Sequence, residues 1–155
     1  MPYNPTTVAN YFISKYARVG SLTPMKVVQL TYIAYGWYLA LTEKTEKLTD
    51  EHPAAWDFGP VFPSLFNSLA EYGKKYITGV LPNAVGNNKI ADLDKKFLDV
   101  IWNKYGRYDG AYLNAITGQE NTPYEKVYRA GYNLTIPDDD LYAFYRGHME
   151  KVPAN

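Results

Sequence analysis

Apolar residues recur at helical spacing from the first turn of the chain onward. Val8, Tyr11, Phe12, Tyr16 and Val19 fall three and four positions apart, Asn4 stands where a cap belongs, Pro5 suits a first helical position, and Gly20 ends the pattern. Thr23 and Pro24 repeat the start signal, and Val27, Leu30, Ala34, Trp37 and Leu41 form a regular seam behind them. Tyr32, Tyr35 and Tyr38 spread aromatic surface around the rest of that helix, so it is expected to be the buried middle of the fold.

After a polar stretch at residues 43–52, residues 56–61 read as extended, a short strand ahead of a helix that Pro63 opens. That helix carries Leu65, Phe66, Leu69 and Tyr72 and stops at Gly73. Residues 76–81 are β-branched and bounded by glycine and proline, which predicts a second short strand and places a small hairpin in this region, with residues 82–88 as a loop tip. Asp92 reads as the cap of a helix with Leu93, Phe97, Val100 and Ile101 on one face, and Asp109 starts another with Tyr112, Leu113 and Ile116. Thr122-Pro123-Tyr124-Glu125 is a capping box, in which the Thr122 oxygen accepts from the Glu125 amide and the Glu125 side chain reaches back to the Thr122 amide. Its helix is expected to run through Ala130 to a stop at Gly131, and Ile136-Pro137-Asp138 leads into a last helix with Leu141, Phe144 and Tyr145 inside. The fold class is therefore mainly α, a compact helical bundle of six to seven helices with a small β-hairpin, one domain over residues 1–155.

Composition narrows the functional classes. Sixteen Lys and Arg balance sixteen Asp and Glu, so no net field gathers phosphates or an anionic bilayer; neither nucleic acid nor membrane is expected as a partner. The chain has no cysteine, which suits a reducing cytoplasm, and its first residues have neither a basic nor an apolar signal region. The apolar run at residues 30–41 is too short to span a bilayer, so a cytoplasmic protein is expected. Sixteen tyrosines in 155 residues are unusual, and tyrosine suits half-buried surfaces, either a binding face or the margin of the core. A self-interface, and hence a homodimer, fits the same composition.

Candidate chemistry is sparse. Asp138-Asp139-Asp140 is the one acidic run, but adjacent carboxylates at a helix start oppose the helix dipole and diverge, so no metal is expected there. His52 and His148 stand in no ligand pattern, and the glycine signatures of dinucleotide, triphosphate and serine-hydrolase sites are missing from the sequence. No enzyme activity and no cofactor are therefore expected; a small hydrolase or transferase using Asp57 and a histidine is the enzymatic alternative.

The segment Ala54-Ala55-Trp56-Asp57-Phe58-Gly59-Pro60-Val61 gathers two large aromatics, a carboxylate and a Gly-Pro break. It reads either as a rigid corner presenting Trp56 and Phe58 to a partner, or as a chain reversal with Trp56 closing the core. Gly118-Gln119-Glu120-Asn121-Thr122-Pro123-Tyr124 reads as a recognition loop or as an ordinary interhelix turn.

Four stretches together resemble the Panacea antitoxin domain family, which includes phage-associated proteins and relatives of the antitoxin SocA. They are residues 8–13; residues 22–30 with Tyr32, Gly36, Trp37 and Tyr38; residues 55–63; and Gln119-Glu120 with Pro123-Tyr124. The chain departs from the usual family pattern at Val27, Val28, Thr31, Gly118 and Tyr124. The resemblance implies an antitoxin that neutralises a cognate toxin protein by direct binding, with Trp56, Asp57, Phe58, Gly59, Pro60, Gln119, Glu120 and Tyr124 as partner-binding residues. Within the family, a proteolytic adaptor that hands the toxin to an ATP-dependent protease is the alternative. Many members add a DNA-binding helix-turn-helix; with no room for one here, repression of its own operon is not implied.

Overall fold

The computed structural model describes residues 2–19, 21–82 and 89–150. Seven α-helices are present among them: α1 (Pro5–Tyr16), α2 (Pro24–Leu41), α3 (Pro63–Leu69), α4 (Asp92–Tyr105), α5 (Gly110–Thr117), α6 (Pro123–Val127) and α7 (Asp138–Glu150). Three short strands, β1 (Ala54–Trp56), β2 (Gly59–Val61) and β3 (Leu134–Thr135), form an antiparallel sheet in the order β2-β1-β3.

The helix starts follow local hydrogen-bond chemistry. The first amides of a helix lack intrahelical acceptors, and the cap side chains supply them: Asn4 Oδ1 accepts from Thr6 N at 2.9 Å, Thr23 Oγ1 from Lys26 N at 3.3 Å, and Asp109 Oδ1 from Tyr112 N at 2.8 Å. The α3 start, capped by apolar Phe62, borrows its acceptor from afar, with Ser64 N donating to Glu51 Oε2 at 3.1 Å. Helix α2 is the axis. All but a few of its residues are buried, and it packs most extensively on α7 and α5, with α1, α4 and α3 on its remaining sides. Gly36 lets α7 approach closely, because a Cβ there would collide with the Tyr145 ring.

The tyrosines are spent mainly on holding this core together. Tyr11 and Tyr16 on α1 both donate to Asp99 of α4, at 2.8 and 2.7 Å, beside Lys15 at 2.6 Å. Tyr3 and Tyr38 both donate to Asp94, at 2.6 and 3.0 Å, and Tyr35 donates to Asp138 at the start of α7, at 2.6 Å. Each ring is packed while its hydroxyl clips two elements through a carboxylate, a charge-assisted bond. Asp138, in the acidic run, thus acts as a helix-start acceptor, with Lys47 Nζ at 3.4 Å and His52 Nδ1 at 3.6 Å.

Among the described residues one lysine is internal. Lys26 is 2% exposed, donates to the Gly106 carbonyl at 2.5 Å and to Ser21 Oγ at 3.3 Å, and lies 4.9 Å over the Trp102 ring. It joins the start of α2 to the end of α4, where the helix dipole favours a cation. Burial lowers its pKa from the usual lysine value, partly offset by Asp109.

Several boundaries differ from the sequence reading. The hairpin lies at residues 54–61, not at 76–81; the latter form no strand, and Ile77 N donates instead to the Leu22 carbonyl at 2.7 Å. The strand β3, unforeseen, pairs Leu134 and Thr135 with Ala55 and Ala54. Ala91, not Asp92, is the α4 cap, and the buried face of α4 is Leu98 and Ile101, with Leu93 and Val100 exposed. Helix α6 ends at Val127, short of Ala130. The capping box keeps the Thr122 contact to Glu125 N at 3.3 Å, but Glu125 Oε1 accepts from Asn121 N at 3.1 Å while Thr122 N donates to the Gln119 carbonyl. Residues 83–88 of the expected loop tip, and Gly20, lie outside the described residues.

Candidate functional site

Trp56 pairs with Gly59 across the hairpin, so Asp57 and Phe58 form a two-residue turn. Gly59 has φ +142°, a conformation that L side chains rarely adopt, and a Cβ there would also collide with Asn114 Oδ1. The turn is therefore shaped by glycine and tied down by amides. Asn114 Nδ2 donates to the Phe58 carbonyl at 2.9 Å, while Gln29 Nε2 donates to Asn114 Oδ1 at 3.0 Å and to the Pro60 carbonyl at 3.3 Å. Gln29 Oε1 in turn accepts from Thr117 Oγ1 at 2.8 Å, so every hydrogen-bonding side of this buried amide is engaged through α2, α5 and β2.

The other side of the turn rests on α6. Asp57 Oδ1 accepts from Tyr128 Oη at 3.0 Å and from Gly131 N at 2.9 Å. Tyr124 Oη donates to the Trp56 carbonyl at 2.5 Å, and its ring stacks on Tyr128 with centroids 5.2 Å apart. The bond to Asp57 is the main reason the Tyr128 hydroxyl is harder to ionise than usual; for Tyr124 burial comes first, with Tyr128 and Asp57 adding to it.

What this frame presents is an aromatic edge. Trp56, Phe58 and Phe66 form a three-ring cluster, with centroid separations of 5.9, 5.2 and 5.2 Å. Phe58 is 48% exposed although its backbone is held at both neighbours, and Met25 is 43% exposed beside it. Phe58, Phe66, Met25, Val28, Val61 and Leu69 line an apolar groove of about 310 Å³ between the hairpin, α2 and α3, with Gln29 and Asn114 as its polar wall. A rigid, exposed ring at the mouth of an apolar groove is suited to receiving another protein's side chain.

The residues singled out in the sequence divide into roles. Trp56 and Phe58 reach the surface; Gly59 and Pro60 are buried framework; Asp57 pins the hairpin to the segment after α6; Tyr124, 8% exposed, is a post beneath Trp56. Gln119 and Glu120 are exposed, but Gln119 lines a different cavity, bounded by α2, α5 and α7, and shares no wall with the groove. Met25, Gln29, Phe66, Asn114 and Tyr128 were not singled out. Gln29, set between Val28 and Leu30 on the largely apolar second helix, is the signal in the sequence that points toward this network.

Among the described residues no helix is long and apolar enough to cross a membrane, and no group of three or more His, Cys, Asp or Glu is placed to hold a metal ion. Comparison with curated proteins and with solved structures found no match. A family model does match, over residues 27–123, which include most of α2, the whole hairpin, α3, α4, α5 and the Gln119-Glu120 loop. Its description is antitoxin SocA-like, Panacea domain, and the match spans well over half of the chain. The chain thus belongs to the SocA-like antitoxin family and carries its Panacea domain.

Proposed function

We propose that this protein neutralises a cognate toxin protein by binding it directly, with the groove between the hairpin, α2 and α3 as the toxin-binding surface. The observation that carries this reading is Phe58: a large apolar ring left about half exposed on a turn that Gly59, Asn114 and Asp57 hold in one conformation. A preorganised aromatic loses little freedom on binding, and such residues dominate interface energies. Trp56 and Phe66 buttress it from behind. A binding role, with no chemistry of its own, accords with the family's description as antitoxins.

The test is growth rescue. The product of the gene adjacent to this one is expressed under tight control, with wild-type protein or with Phe58→Asp. The turn keeps every hydrogen bond in the variant, since only the Phe58 carbonyl is used. Wild-type protein should restore growth and capture the toxin in pull-down, and Phe58→Asp should weaken capture by roughly 30-fold or more with its circular dichroism unchanged, as loss of a central aromatic anchor does. Full rescue by the variant at wild-type affinity would move the interface elsewhere. Toxin half-life in the rescued cells separates occlusion, which leaves it unchanged, from delivery to a protease, which shortens it.

A further inference from the structure

We infer that Gln29 is a positioning residue for toxin binding: it holds the Asn114 side-chain amide in the one orientation that fixes the Phe58 turn, and offers the toxin no donor of its own. The inference rests on the groove beside Phe58 being the toxin-binding surface. Gln29 stands between Val28 and Leu30 on α2 and is 2% exposed. A carboxamide buried to this degree is costly unless its polar atoms are paired. Both Nε2 protons are committed, to the Pro60 carbonyl at 3.3 Å and to Asn114 Oδ1 at 3.0 Å. Oε1 accepts from Thr117 Oγ1 at 2.8 Å, the shortest of that hydroxyl's contacts. Gln29 therefore has no proton left for a ligand.

The direction of this chain of bonds is fixed by its ends. A backbone carbonyl only accepts, so the Gln29 atom facing Pro60 must be Nε2 and the Asn114 atom facing Phe58 must be Nδ2. Asn114 Oδ1 is then turned toward Gln29, where the second Nε2 proton meets it. Reversing the Asn114 amide would set oxygen against the Phe58 carbonyl and nitrogen against Gln29 Nε2, replacing two bonds by two repulsive contacts. Gln29 thus selects the Asn114 orientation and holds the chain on both sides of Gly59, through Asn114 at Phe58 and directly at Pro60. Without it the Asn114 amide can rotate, and the turn keeps its held conformation in only a fraction of molecules. A toxin that needs the held Phe58 then binds more weakly by that fraction.

The test is a double-mutant cycle on the full chain's affinity for the captured product of the adjacent gene. Its variants are Gln29→Met, which keeps the side-chain length and removes the amide, Asn114→Ala, and the two combined. Each single change should weaken capture roughly three- to tenfold, and the double by clearly less than the product of the two losses, because Gln29 acts largely through Asn114. Amide exchange at Phe58 and Gly59 of the free chain should quicken in Gln29→Met. Gln29→Glu supplies a pH profile, and carries the test if Gln29→Met does not fold. Compared with wild type at the same pH, and with circular dichroism unchanged, its capture should be weakest at pH 8, where a carboxylate faces two acceptors. It should recover toward wild type at pH 5, where burial favours the protonated carboxyl and one proton can be donated again. The inference is overturned if exchange at Phe58 and Gly59 is unchanged, if the two losses multiply in full, or if the Gln29→Glu loss is the same at both pH values. Quickened exchange with capture at wild-type strength would overturn the groove reading, and the inference with it.

Discussion

Gly59→Ala is expected to destabilise the protein by about 3–5 kcal/mol and to abolish toxin neutralisation, although residue 59 itself is buried. Two effects add. At φ +142° an L side chain strains the backbone by about 1–3 kcal/mol. The new Cβ also displaces the Asn114 amide, which then loses its bonds to the Phe58 carbonyl and to Gln29, each contributing about 1 kcal/mol. For a chain of this length the melting midpoint should fall by roughly 6–20 °C. Toxin capture should fail at temperatures where the variant is still folded, because Phe58 has lost its fixed position. The melting curve and a pull-down at 20 °C check both halves. A variant with an unchanged midpoint would show that the turn is not the strained, glycine-dependent element described above.

The second large effect is alkaline unfolding driven by tyrosine. In the folded protein Tyr16 titrates near 12, raised by burial first and then by its bond to Asp99, and burial raises Tyr3, Tyr11, Tyr32, Tyr35, Tyr38, Tyr105, Tyr124 and Tyr145 as well. The unfolded chain releases these protons near pH 10. Above that pH the unfolded state binds fewer protons than the folded one, so stability falls as pH rises. The stabilisation is complete below about pH 10 and drains away through pH 12 for Tyr16, and higher for the most buried rings. Lys15, raised chiefly by its bond to Asp99, acts in the same direction; Lys26, lowered by burial, opposes it. The tyrosinate absorbance of the buried rings should therefore appear cooperatively, together with loss of helical circular dichroism, between pH 10 and 12. Ionisation of all sixteen tyrosines near pH 10 with the helices intact would contradict the clipped-tyrosine core.

Asp99 marks the acid side of the same clip. Burial pushes its carboxyl up, but the bonds from Lys15, Tyr16 and Tyr11 together outweigh burial and hold it below the usual carboxylate range. Its contribution is present above the ordinary aspartate pKa and is lost as pH falls through the depressed one.

The contrast between what was legible in the sequence and what was not follows the range of the interactions. Helix starts at Asn4, Thr23, Asp109 and Thr122 were readable because a cap is a contact over two or three residues. The face of α4 was misread because Asp94 opens the inward stripe that continues through Leu98 and Ile101; a carboxylate that two tyrosines seek looks like a solvent residue to a periodicity argument. The strand expected at residues 76–81 had the composition of one but nothing to pair with. By contrast β1, beginning with two alanines, is a strand because β2 and a distant β3 supply its hydrogen bonds. Tyrosine abundance was ambiguous in the sequence, and the structure assigns most of these hydroxyls to internal partners. The hairpin corner was visible from Trp56, Phe58 and Gly59. Its supports were not, because Gln29 of α2, Asn114 of α5 and Tyr128 just after α6 are brought under it only by the tertiary fold.

The most direct measurement is amide hydrogen exchange on the purified complex of this protein with the captured toxin. Slowed exchange, relative to the free protein, is expected at residues 54–66 and at the start of α2, where Met25, Val28, Phe58 and Phe66 line one groove. Protection confined to residues 118–123 and α7, with the hairpin exchanging as in the free chain, would contradict the claim that the Phe58 groove is the surface that holds the toxin.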